Sequence, residues 1–174
     1  MLFRSASPAA KPLSSFSEAL ARQGAAQAAR FSQFGEETPS AQARAAFGLK
    51  NQDTVISMTR VRQCQGEPTA CEQITIPTSV APDLQETDVT GTSIGEALRK
   101  KYGIELTRSH ETLRVGSLDK DAAEALGARA GSPAFVLERQ TFAGERLVEL
   151  REISIRPDRF QFELAPAPVD LERD

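Results

Sequence analysis

Histidine, cysteine and large aromatics are scarce in this chain of 174 residues, which holds one His, two Cys, one Tyr and no Trp. Each scarcity closes off a class of function. Cys64 and Cys71 flank the turn at Gly66 at unequal distances, so they do not face each other in a regular hairpin and read as two reduced small hydrophobes. Two thiols and the lone His110 do not complete a metal site, and no metal or other cofactor is expected. His110, alone in a stretch with strand character, reads as a surface or core residue rather than a catalytic base. Positive charge is also short: the formal net charge is −3, with no basic footprint for a phosphate backbone, which makes this chain alone a poor nucleic-acid binder. No apolar run approaches the roughly 18 residues that span a bilayer. The start "MLFRSASPAAKPLSSF" carries no apolar signal core, and the chain is read as cytoplasmic.

What is present fits one domain with a real core. Residues 1–13 are rich in Ala, Ser and Pro and read as a disordered lead or linker remnant. "SSFSEALARQG" reads as a helix, with Ser15 and Glu18 at capping-box spacing. "AQAARFSQFGEE" has strand character, and "TPSAQARAAFGL" reads as a short helix closing near Gly48. A hairpin then runs from Thr54 to Ile76, turning at Gln65 and Gly66, followed by a polar connection. "TSIGEALRKKYG" is a helix with a second capping box, Ser93 and Glu96, and with Ile94, Ala97 and Leu98 facing inward. "IELTRSHETLRVGSL" alternates like a strand, and "DKDAAEALGA" is a short helix. "PAFVLERQTFAGERLVELREISIR" is a second hairpin turning at Gly144, and "FQFELAP" offers one more short strand.

A weak internal repeat runs through this order. "AAFGLKNQDTVISMTRVRQCQGEP" and "EALGARAGSPAFVLERQTFAGERL" share helix, Gly, linker, strand, turn and return strand, and their alignment sets Arg60 against Arg139. The expected fold is α+β, a two-halved central antiparallel β-sheet with helices packed against it.

The first hairpin strand places two cations, Arg60 and Arg62, at alternate positions. Cations sharing a strand face repel each other, so an anion is expected beside them. A three-residue loop would set Gln63 opposite Glu67, Arg60 opposite Ala70 and Met58 opposite Glu72, leaving Arg60, Arg62 and Glu72 on one face; a two-residue loop would send Glu72 away. In the second hairpin, alternation sets Leu147, Glu149, Arg151, Ile153 and Ile155 on one face. Glu149 then needs a partner, either an arginine of the sheet or a ligand hydroxyl.

"SSFSEALARQG", "TRVRQCQGEP", "ACEQITIP", "GTSIGEALRKKYGIEL", "EALGARAGSP" and "LVELREISIRPDRFQFEL", in this order, resemble the UTRA domain of HutC-subfamily GntR transcription regulators. The resemblance runs over residues 14–164 and leaves 165–174 as a tail. It implies a fold similar to chorismate lyase, a homodimer, and a pocket for a small anionic metabolite. It also implies ligand contacts at Ser15, Phe16, Ser17, Arg60, Arg62, Glu72, Thr107 and Glu149. The first five match positions that hold phosphate in relatives sensing phosphorylated amino sugars, and a helix start with two guanidiniums suits an anion. Glucosamine 6-phosphate or N-acetylglucosamine 6-phosphate is the favoured effector. Ile155 departs from the Tyr of those relatives, which keeps a carboxylate such as urocanate as the alternative. DNA contact is expected only through a winged helix-turn-helix that this chain does not carry. An enzyme is not expected; a lyase acting on chorismate is the reading set against the sensor.

Overall fold

The computed structural model describes residues 29–64 and 66–161. Six strands form one antiparallel sheet: β1 (Ala29–Glu37), β2 (Val55–Cys64), β3 (Glu67–Pro77), β4 (Arg108–Ser117), β5 (Pro133–Ala143) and β6 (Arg146–Ile155), in the order β1-β2-β3-β6-β5-β4. The helices are α1 (Ala41–Phe47), α2 (Glu86–Val89), α3 (Ile94–Tyr102) and α4 (Lys120–Ala125). The fold is α+β, as expected. Residues 1–28, with the expected helix from Ser15, and residues 162–174 lie outside the described part. Phe160 and Gln161, the described start of the expected last strand, are not in a strand.

Local chemistry explains the boundaries. Ser40, Ser93 and Asp119 each cap a helix by accepting a backbone N–H three residues on. Gly48 and Gly103 end α1 and α3 with φ of 66°, where a β-carbon would be strained. At Ser93 the reciprocal half of the capping box is not made; the Glu96 carboxylate takes Thr92 and Lys100 instead. The strand expected from Ile104 starts at Arg108, and the connection before α3 contains the short helix α2.

The first hairpin corrects the expected register. Its loop has two residues, with Cys64 opposite Glu67. Such a loop alone would turn Glu72 to the far face, but the ladder shifts between Arg62 and Gln63, so that Arg62 faces Ala70, Arg60 faces Glu72 and Met58 faces Ile74. This bulge returns Arg60, Arg62 and Glu72 to one face by a different pairing from the one expected. Cys71 lies on the other face, opposite Val61, and no disulfide forms.

The sheet thus has a front face with Met58, Arg60, Glu72 and Ile74 beside Arg151 and Ile153, and a back face with Val61 and Cys71. On the front, α3 presents Ile94, Ala97 and Leu98 to Ile56, Met58, Ile74 and Ile76. On the back, α4 presents Ala122 and Ala123 to Val61, Cys71 and Val136.

The repeat is complete in the structure. The offset that takes Arg60 to Arg139 also carries β1, α1, β2 and β3 onto β4, α4, β5 and β6, and the bulge at Arg62/Gln63 onto one at Thr141/Phe142. The palindromic strand order makes the halves pseudo-two-fold related, with the axis between β3 and β6.

Candidate functional site

On the front face, where the halves meet, Arg60, Glu72, Arg151 and Glu149 form a chain of charges. Arg60 Nε donates to Glu72 Oε2 at 2.6 Å, and Arg62 Nε donates to Glu72 Oε1 at 3.3 Å. Arg151 Nη1 approaches Glu72 Oε1 at 3.7 Å and donates to Glu149 through Nε and Nη2, both at 3.0 Å. Thr141 adds a 3.4 Å hydrogen bond to Glu149. One strand further, Arg139 Nε donates to Glu111, while its buried Nη2 lies against the same carboxylate oxygen without hydrogen-bond geometry.

Glu72 and Glu149 are almost wholly buried, where an unpaired carboxylate would be costly. Burial alone would push Glu72 up, but Arg151, Arg60 and Arg62 outweigh it and hold the carboxyl at about 2. Burial pulls Arg60 below its usual value against the attraction of Glu72. For Arg151 burial acts the same way, but Glu149 and Glu72 more than offset it and raise the guanidinium. Glu72 and Arg151 are therefore charged at neutral pH. Four arginines (Arg60, Arg62, Arg139, Arg151) face three carboxylates (Glu72, Glu111, Glu149), leaving one cation in excess.

Above this network opens a cavity of about 360 Å³, lined by Arg60, Arg62, Arg139 and Arg151, by Thr107, Ser109, Thr141 and Glu149, and by Ser93, Ile94 and Gly95 at the start of α3. Arg108, its guanidinium 3.9 Å from the Phe142 ring centre, stands at the rim. Thr107 fastens that rim to the second hairpin: its hydroxyl donates to the Phe142 carbonyl at 3.3 Å and accepts from Gly144 N at 3.0 Å. The N-terminus of α3 adds partial positive charge to the cationic wall.

Of the residues singled out from sequence, Arg60, Arg62, Thr107 and Glu149 line the cavity. Glu72 lies beneath it, fully buried, with its oxygens taken by arginines. Ser15, Phe16 and Ser17 fall outside the described residues. Sequence reasoning missed Ser93, Gly95, Arg139 and Arg151 as cavity residues. The signals were there: Arg139 is the repeat counterpart of Arg60, and "SIGEAL" echoes "SFSEAL". His110 is exposed on the edge strand β4. Among the described residues no group of His, Cys, Asp and Glu is placed to hold a metal.

An antiparallel α+β sheet whose repeated halves share one cationic cavity is the class of protein that these features define. Residues 22–161 match the model of the UTRA domain family, and the chain belongs to that family. It is 24% identical over 151 residues to the HTH-type transcriptional repressor NagR of Bacillus subtilis (strain 168), spanning 86% of this chain but only 62% of the repressor. Among solved structures it is similar to the effector domain of PhnF from Mycobacterium smegmatis, at 26% identity and a TM-score of 0.76, covering 88% of this chain and 95% of that one. A GntR-family transcriptional regulator from Enterococcus faecalis V583 shares the fold at 21% identity and a TM-score of 0.72, over 80% of this chain and all of the other.

Proposed function

We propose that the chain is the effector-binding and dimerising domain of a GntR-type transcription regulator of the HutC subfamily, a cytoplasmic sensor of a small anionic metabolite. The observation that carries this reading is the surplus guanidinium around a cavity of about 360 Å³, a site whose charge is balanced by an anion. A phosphorylated sugar, glucosamine 6-phosphate or N-acetylglucosamine 6-phosphate, fits best: phosphate takes the Arg60 and Arg62 end with Ser15, Phe16 and Ser17, while Glu149 and Thr107 meet hydroxyls. Glu72 acts by holding the arginines. The effector would shift the balance between two arrangements of the dimer, and so of the winged helix-turn-helix domains attached to it.

A carboxylate such as urocanate is the second reading. It is favoured by Ile155, which is fully buried in an apolar cluster and offers no hydroxyl. Conversion of chorismate tests the lyase reading, since a sensor returns its ligand unchanged.

Thermal-shift screening of the chain against the two sugar phosphates, urocanate, free phosphate and chorismate tests the proposal. A ligand at 100 times its Kd stabilises the fold by about 2.7 kcal/mol, a shift of several degrees at this size. The expected result is a shift with one sugar phosphate that Arg62→Ala abolishes. A response to urocanate alone transfers the reading to a carboxylate, and silence toward every anion overturns the sensor.

A further inference from the structure

The back faces of the two halves are filled differently. In the second half Arg114 of β4 reaches across the sheet: its Nε donates to Glu138 at 3.0 Å and its Nη2 stands 3.6 Å from Glu152. Val136, its partner in the ladder, is buried, and Leu150, two residues before Glu152 on β6, shares that face. The offset that takes Arg60 to Arg139 finds a smaller or neutral residue at each equivalent place in the first half. Gly35 stands for Arg114, Ser57 for Val136, Thr59 for Glu138, Cys71 for Leu150 and Gln73 for Glu152.

These exchanges leave a cavity of about 390 Å³ on the back of β1, β2 and β3, between α1 and α4. It lies across the sheet from the cavity of the arginines. Ser57, Thr59, Gln73 and Thr75 line it with hydroxyls and an amide, which an apolar guest would leave without partners. Gly35, opposite Ser57 in the ladder, faces open space: a β-carbon built there would meet nothing within 4 Å. Glu37 at the end of β1 and Asp121 in the first turn of α4 add two carboxylates, and no lysine or arginine is among the lining residues. Neither carboxylate enters an ion pair among the described residues. A polar pocket of this size, with negative groups and no positive ones, suits a small organic cation.

We propose that the first half holds a second ligand site on its back face, for a small molecule bearing a guanidinium or an amine. The cation takes the place that the Arg114 guanidinium takes in the second half, with Thr59 and Gln73 as hydrogen-bond partners where Arg114 has Glu138 and Glu152. Glu37 and Asp121 supply the negative charge instead. The site does not depend on which effector the front cavity binds, or on whether one does, because its lining residues belong to the other face of the sheet.

Thermal melting of the full chain with agmatine and with putrescine, at ionic strength matched by sodium chloride, tests the site. At least one of the two is expected to raise Tm by about 2 °C or more at millimolar concentration. Gly35→Arg copies the residue of the second half into the open space and is expected to fold and to abolish the response. Glu37→Gln combined with Asp121→Asn leaves the cavity open and is expected to weaken binding about tenfold, read by calorimetric titration; this variant alone decides if Gly35→Arg does not fold. Silence of the native chain toward both cations overturns the proposal. So does a response that either variant leaves undiminished, which would place the cation elsewhere on the surface.

Discussion

At the scale of single residues, Glu72 governs the site without lining its cavity. It receives three arginines while fully buried, so its charge keeps the arginines in place and cancels part of their repulsion. Removing it leaves partly compensated guanidiniums under the sheet. Glu72→Gln is expected to cost about 3–5 kcal/mol, as for breaking a buried pair from one side, seen as a lower urea midpoint. The same carboxylate sets an acid limit. Its folded value of about 2 lies below that of a free Glu, so the unfolded chain binds the proton first. Its contribution, on the order of 3 kcal/mol, is complete above about pH 5 and is lost as pH falls toward about 2. Urea midpoints measured across that window should decline in the native chain and decline less in Glu72→Gln. Cys71 is a contrasting case: burial pushes its thiol up to about 11, and slow labelling by a thiol reagent at pH 8 is the expected consequence.

At the scale of elements, a single extra residue decides where the arginines point. The two-residue loop sets the ladder from Cys64 and Glu67, and the bulge at Arg62/Gln63 shifts it by one before Arg60 is reached. Thr69 of β3 is the residue left unpaired there; deleting Gln63 shortens β2 by one against this ladder, so that either Arg60 parts from Glu72 or the loop must open. Loss of effector binding and a lower Tm are expected from the deletion, while Gln63→Ala, which keeps the bulge, should leave both nearly unchanged. This element also marks where the sequence stopped being legible. Alternation, turn glycines and caps were enough to give the hairpins, α1, α3 and α4, and the shared face of Glu149, Arg151 and Ile153. They could not give the pairing of Arg60, because loop length and bulge change the register in compensating ways and leave the hydrophobic pattern almost the same. Arg139 was visible as the counterpart of Arg60, but its place in the cavity depends on the meeting of β3 and β6, a contact between segments a whole repeat apart in sequence that no local pattern records.

At the scale of the whole molecule, the site belongs to neither half. The pseudo-two-fold sets Arg60 and Arg139 in equivalent places on β2 and β5, with the Glu72 and Arg151 pair of the inner strands between them. A ligand held at both ends therefore bridges the repeats, and its binding energy opposes their separation. The symmetry is imperfect in charge: Arg62 corresponds to Thr141, and Ala70 to Glu149. One end thus carries more positive charge, while the other presents a hydroxyl and a carboxylate. Arg139 remains at that second end, with a buried Nη2 that its Glu111 partner does not satisfy. It should therefore contribute to affinity even though it lies on the half opposite the Arg60 and Arg62 end. Arg139→Gln is expected to weaken the effector found by thermal screening about tenfold, roughly 1.4 kcal/mol, measured by calorimetric titration. Arg114→Gln provides the control, because Arg114 is half-exposed, pairs with Glu138 and lies outside the cavity; it should leave the Kd unchanged. Equal affinities for native chain and Arg139→Gln would confine recognition to the Arg60 and Arg62 end and make the second-half arginine a support for Glu111 alone.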